Sequence, residues 1–216
     1  MGKIEKIKWT ESKLNVHFRL TRNLKGLPLL TEWFKVTNNL TDSEKADLEK
    51  RRLTLLKKVN FWNEEELKMK FLSHLLDMAE YEDNDAFFDT YLDREIEATV
   101  DKTLIKTKAD YIIASGFGEE ITSPYFCFHE YKRKKKNADD PVAQVLLGML
   151  IAQEINKNGK PIYGCHIIGE FWFFMLMQGR EYAIAKALDA TDEADLQQIV
   201  LILRKFKSII TNELLK

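Results

Sequence analysis

The chain has 216 residues, 45% of them apolar and 11% aromatic, enough to fill the core of one large domain, or of one domain with an appended helical segment. Its 33 basic and 34 acidic side chains leave a formal net charge of −1. Overall charge therefore gives no pull toward a polyanion, and any such partner must be met by a local patch.

The two cysteines, Cys127 and Cys165, each lie in an apolar, strand-like run. They have neither metal-ligand spacing nor a redox pairing, so they read as buried thiols in a reducing compartment. The first six residues carry no apolar signal region, and the strongest apolar run, 171–177, is too short to span a bilayer. The expectation is a soluble cytoplasmic protein with no membrane partner.

Residues 1–60 read as a helical N-terminal extension and 61–216 as the main domain. Gly26 and Pro28 break the chain, and Pro28 suits the first position of a helix through Trp33 and Phe34. Thr41-Asp42-Ser43-Glu44 is a capping box for a helix to about Val59, with Leu48, Leu55, Leu56 and Val59 on one side. That helix reads as half-solvated packing, with a homodimer contact as the less favoured alternative.

Asn63-Glu64-Glu65-Glu66 is a second capping box, opening a helix to about Ala79. Its apolar face holds Leu67, Phe71, Leu72, Leu75 and Met78. Helical periodicity puts Glu64 and Lys68 on that same face and Glu66 opposite. Residues 80–89 read as an acidic loop without calcium-loop spacing.

From Tyr91 the pattern turns strand-like, Asp93, Glu95 and Glu97 alternating with Leu92, Arg94, Ile96 and Ala98. A turn over 101–105 leads into a strand bearing Asp110, which Gly116 and Gly118 end. The strand Tyr125-Phe126-Cys127-Phe128-His129-Glu130-Tyr131-Lys132 follows, then the basic run Arg133-Lys134-Lys135-Lys136. Asp140 and Pro141 mark the cap and first residue of a helix to about Asn158. Strands are expected at 162–168, 170–177 and 182–185. Asp192 caps a last helix with a stripe of Leu196, Ile199, Val200, Leu203, Phe206 and Ile210.

The chemistry concentrates at two places. Side chains alternate along a strand, so Glu130 and Lys132 share one side of the sheet, with Phe126 and Phe128, while His129 points the other way and reads as a packed histidine. Asp110 is a lone acid on the preceding apolar strand. Two carboxylates and an ammonium at one spot are costly unless a cation and a phosphate join them. Hydrolysis of a phosphodiester by a Mg²⁺-dependent enzyme needs such a set: hard oxygen ligands from Asp110, Glu130 and the Tyr131 carbonyl, and Lys132 beside the water or phosphate. An acid-x-Lys triplet is a weak signal alone, and a solvated strand end running into a basic loop gives the same residues. Spacing leaves both readings open. His17, His74 and His166 are scattered and read as core or surface residues. Phe171-Trp172-Phe173-Phe174 reads as a strand buried on both faces rather than a base-stacking surface.

With Asp110 followed by Glu130-Tyr131-Lys132 in the expected order of elements, the chain resembles the PD-(D/E)XK nuclease superfamily, over about residues 61–190. The resemblance implies a restriction-endonuclease-like α/β fold, a central mixed sheet flanked by helices, and metal-dependent cleavage of nucleic acid, DNA favoured, with Mg²⁺ and with Mn²⁺ as a substitute. Helix 63–79 resembles the family's first helix, which makes Glu64 a further metal ligand. The helix from Pro141 resembles that of the RecB-like and type I restriction branches, which makes Gln144 a residue of the catalytic site. Ala109 stands where the motif name has Pro, and Gly148 where some relatives carry Tyr. Lys68, Arg133, Lys134, Lys135 and Lys136 are the expected contacts to the nucleic-acid backbone, with a Glu64 ion pair as the alternative for Lys68. A non-cleaving binding module and an interaction protein are the competing functions.

Overall fold

In a computed structural model, the described residues are 8–37, 39–81, 87–133 and 140–216. The acidic stretch 82–86 and the lysines Lys134, Lys135 and Lys136 lie outside them. Among the described residues an eight-stranded mixed sheet runs in the order β1-β7-β6-β5-β4-β3-β2, with β8 on β6. The strands are β1 (Thr21–Arg22), β2 (Phe88–Val100), β3 (Thr103–Phe117), β4 (Glu120–Lys132), β5 (Ile162–Ile168), β6 (Phe171–Gln178), β7 (Glu181–Ile184) and β8 (Leu188–Asp189). The pairs β4/β5 and β1/β7 are parallel, and the others antiparallel.

Helices cover both faces. On one side lie α2 (Pro28–Phe34), α3 (Asp42–Lys58), α4 (Glu64–Leu67), α5 (Ser73–Asp77) and α7 (Glu193–Ile209), joined in one apolar cluster with Tyr111, Cys127, Tyr163, Trp172 and Phe174 of the sheet. On the other lie α1 (Glu11–Phe18) and α6 (Pro141–Asn156), packed with Ile112, Phe128, Met175 and Met177. The expected architecture, a mixed sheet flanked by helices with an N-terminal helical segment, is the one the chain adopts. No helix among the described residues is long and apolar enough to cross a membrane.

The sequence accounts for most boundaries. Thr41 and Asn63 both close capping boxes, and Asp192 accepts the Asp195 N–H. Asp140 caps two helices at once: its carboxylate accepts the Ala143 N–H of α6 at 3.1 Å and the Glu11 N–H of α1 at 2.8 Å. The stripe of α7 is buried along its whole length. Helices α1 and α6 each stop at a left-handed residue, Arg19 and Lys157, so α6 ends two residues earlier than the Asn158 stop signal predicts.

Three local departures matter. Leu56, expected on the buried side of α3, is 47% exposed, while Leu48, Leu55 and Val59 are buried. Phe126 and Phe128 do not share a face. Ile113 pairs with Cys127 and Ala114 with Tyr125, leaving Phe126 in a bulge that turns it into the α7-side cluster, whereas Phe128 faces α6. The strict alternation of β2 also fails. The β2–β3 ladder skips the Asp93/Asp110 position, and Asp93 adopts a left-handed φ of 59°. The side-chain parity reverses there, which leaves Leu92 64% exposed while Ile96 and Ala98 still pack toward α6.

Helix α6 sits close against the parallel strands because the facing residues are small. A Cβ on Gly164 of β5 would lie 2.5 Å from Met149 and 2.6 Å from Val145, and one on Gly148 of α6 would lie 2.9 Å from the Phe128 ring. Gly148 is therefore fixed by packing on Phe128, which explains the absence of a larger residue at that position.

Candidate functional site

Strands β3 and β4 pair from their hairpin as far as Tyr111 and His129, and no further. Beyond that point β4 continues on β5 to Lys132, and β3 continues on β2 to Thr103. The sheet forks, and the first residues past the fork are Asp110 and Glu130. Asp110 Oδ2 accepts the Tyr131 N–H at 2.9 Å, standing in for the backbone carbonyl that the diverging strand removes.

Glu130 is 3% exposed, and Lys132 donates to its Oε1 at 2.6 Å, as strand parity requires. Asp110 has 14% of its side chain exposed and takes an ammonium from the other side, with Lys68 Nζ 2.9 Å from Oδ1. Lys68 also lies 3.3 Å from Glu64 and 3.4 Å from Glu65. Lys132 lies 3.9 Å from Glu64 Oε2. Glu64 is therefore joined to both inner carboxylates, through one lysine each.

Lys68 reaches this position from an unusual helix. Between α4 and α5 the chain is π-helical over Lys68–Leu72, a wider turn that keeps Phe71 and Leu72 in the core while Lys68 points at the fork. Glu66 faces outward, as periodicity predicts, and pairs with Lys70 at 2.6 Å.

The electrostatics are those of charge held in a partly dry place. Burial, with the Asp110 charge added, pushes the Glu130 carboxyl up to about 8, despite the opposing pull of Lys132. Burial alone depresses an ammonium, yet Lys68 and Lys132 are both raised, because Asp110 and Glu64 hold the first and Glu130 and Glu64 the second.

The remaining sequence-derived residues fall as follows. The Tyr131 ring is buried, with Lys68 Nζ 5.9 Å from its centroid and its hydroxyl 3.3 Å from His129 Nδ1. His129 is packed on the opposite face, stacked on Tyr111, and burial drives it down to about 3. Gln144 stands in the first turn of α6, its Oε1 buried with no hydrogen-bond partner among the described residues. Arg133 follows β4 and is half-buried.

One neighbour escaped the sequence reading. His166 is the register partner of Glu130 on parallel β5, so both face α6. Its ring stacks on Phe173 at 4.5 Å and 2°, and burial pushes it down to about 4. Only the pairing of β4 with β5 could have revealed it, since 36 residues of sequence separate the two.

Among the described residues no three His, Cys, Asp or Glu side chains converge as a ready metal-holding group. The donors at the fork nevertheless fit a small hard cation. They are oxygen atoms, two carboxylates stand on adjoining strands, and one is buried with its pKa raised, a cost that a bound cation removes. Mg²⁺ uses few protein carboxylates and keeps positions for water and phosphate, so a third converging acid is not a requirement.

No protein-family model matches the sequence, and no curated protein does. Among solved structures the chain is similar to part of a DrdV–DNA complex determined by cryo-EM, at a TM-score of 0.44 and 15% identity, over 75% of this chain and 14% of that one. The chain thus spans a small fraction of the length of the protein it resembles.

Proposed function

We propose that this protein is a metal-dependent nuclease that hydrolyses phosphodiester bonds of nucleic acid, DNA being favoured. The observation that carries the reading is the fork: it sets a half-buried aspartate and a buried glutamate on diverging strands, each already holding a lysine ammonium. Asp110 and Glu130, with the Tyr131 carbonyl and Glu64 in support, are the residues to hold Mg²⁺ or Mn²⁺. A bound ion there acidifies water and offsets charge on the phosphoryl oxygens.

The chain's own groups supply the rest. Lys132 Nζ orients the attacking water or donates to a phosphoryl oxygen, and its tie to Glu130 keeps it at the fork. The Asp110–Tyr131 bond fixes the two strands relative to one another, so the groups meet the phosphate without reorganising. Gln144 brings to the α6 side an acceptor without a partner among the described residues. Arg133 and Lys134, Lys135 and Lys136 follow directly from β4 and suit a track for backbone phosphates. Residues 61–216 carry this machinery, with 1–60 as an appended segment.

A specific observation favours a second reading. Both inner carboxylates already hold lysine ammonium groups, and among the described residues no three acids form a ready metal-holding group, which suits a module that binds nucleic acid without cutting it. Incubation of the protein with DNA or RNA and Mg²⁺ or Mn²⁺ separates the two. The nuclease reading expects degradation that Asp110→Ala and Lys132→Ala each abolish while circular dichroism stays native. Retention of labelled strands without cleavage by the unmodified protein establishes the module instead.

A further inference from the structure

Lys68 is the ammonium that the hydrolytic scheme above leaves without a task. Its position is specified in unusual detail. It opens the π-helical segment Lys68–Leu72, and its Nζ lies 2.9 Å from Asp110, 3.3 Å from Glu64 and 3.4 Å from Glu65. Its side chain is 22% exposed, so part of its hydration has been exchanged for these carboxylates. Lys132 mirrors it, at 2.6 Å from Glu130 and 3.9 Å from Glu64. Two ammonium groups therefore share four carboxylates, and Glu64 alone touches both.

This arrangement brings to the fork the positive charge that a divalent ion would bring. An ion on Asp110 competes with Lys68 for the same carboxylate, because a dication beside an ammonium is repelled and the oxygen lone pairs are shared. Lys132 remains tied to Glu130 along one strand, two residues away. Lys68 is tied across 42 residues and from a different element, on a long stem that can turn outward without moving the backbone.

We propose that Lys68 is a displaceable tether: its ammonium holds Asp110 in the metal-free protein, leaves that carboxylate when a divalent ion binds, and then takes a phosphate oxygen of the nucleic acid. The inference rests on the metal-dependent reading given above and adds an order of events to it. Metal entry frees a cation, and the freed cation strengthens the grip on substrate, so the two ligands bind with positive coupling.

The test uses the full chain and Mn²⁺ alone, followed by calorimetry without nucleic acid. Lys68→Met removes the charge and keeps the stem, and it is expected to bind Mn²⁺ about tenfold more tightly than the wild type, the size of one lost competing ion pair. Lys68→Arg retains the charge and is expected to bind as the wild type does. Mn²⁺ is also expected to tighten binding of a non-cleavable phosphorothioate oligonucleotide, and to do so less in Lys68→Met. Equal or weaker Mn²⁺ binding by Lys68→Met overturns the tether. Should that variant not fold, a Mn²⁺-soaked crystal of the wild type decides: Lys68 Nζ away from Asp110 supports the proposal, and Nζ still within hydrogen-bond distance overturns it. Mn²⁺ binding abolished by Asp110→Ala yet unaffected by Lys68→Met sinks the tether alone. A wild type that binds no Mn²⁺ sinks the metal-dependent reading and the tether together.

Discussion

Glu130 pits stability against chemistry within one side chain. In the unfolded chain its carboxyl titrates near the ordinary 4.5, and in the fold near 8, chiefly because it is buried and secondarily because Asp110 is close. A raised carboxyl means that the fold prefers the protonated acid. Below about pH 4.5 both states carry the proton and the charge costs nothing. As pH rises from there to 8 the metal-free fold loses stability, and above 8 the full cost is present. Glu130→Gln keeps the shape and removes the charge. It is expected to end cleavage, and to raise the melting temperature in EDTA at pH 8.5 by about 4–8 °C, on the order of 2 kcal/mol, with no gain at pH 4.5. A variant that melts lower than the wild type at pH 8.5 shows instead that the Lys132 pair outweighs the burial. The sequence revealed Glu130 and Lys132 because strand parity alone brings them together. It did not reveal that Lys68 would choose Asp110, since that contact depends on a π-helical turn for which periodicity has no signal. His166 was hidden for a different reason, the parallel pairing of two strands separated by a whole helix.

Elements with strong local signals were legible, and those defined by partners were not. Capping boxes, Pro at the first turn and a clean apolar stripe located the starts of α3, α4, α6 and α7, but the single helix expected to about Ala79 is broken into α4, a π-helical turn and α5. The two-residue strands β1 and β8 exist only because β7 and β6 offer them an edge, and helix α1 owes its place to Asp140 and Tyr182, far along the chain. The bulge at Phe126 and the parity reversal at Asp93 likewise escaped a strict period of two. Glu44 shows how a local signal becomes a tertiary one. It completes the capping box with Thr41, and it also pairs with Arg204 of α7, whose Nε donates to the Met78 carbonyl at 2.8 Å. Arg204 and the Thr41 groups hold the Glu44 carboxyl down at about 2. A lowered carboxyl stabilises above its unfolded value near 4.5, and the benefit fades as pH falls toward 2. Glu44→Gln is therefore expected to cost about 1–2 kcal/mol at pH 7. Melting curves of the two proteins should converge near pH 2, and a deficit that persists there points to lost packing instead.

Across the whole molecule, charge balance has a definite consequence for substrate binding. With a net charge of −1, attraction to a polyanion needs a local patch, and under the nuclease reading the sequence run Lys132 to Lys136 that follows β4 supplies it. Replacing Lys134, Lys135 and Lys136 together by Gln is expected to weaken duplex DNA binding and to reduce the slope of log K against log salt by about 2–3, as each lost phosphate contact removes about 0.9. An unchanged slope in a filter-binding or anisotropy series places the phosphate track elsewhere. The three-layer architecture was largely readable from the order of helices and strands, whereas the fork between β3 and β4 was not, because it is an interruption of pairing rather than a pattern of residues. That fork also divides the labour of the sheet. Past Asp110 the β2–β3 ribbon leans on α6 and has no other strand beside it among the described residues, so its tip is anchored independently of the acids at its base. The tip is tied to the rest of the chain by Asp101, which accepts from Arg180 at 3.0 Å, and by Thr103, 2.8 Å from His17, so changing its length would release these contacts and leave the reacting groups in register.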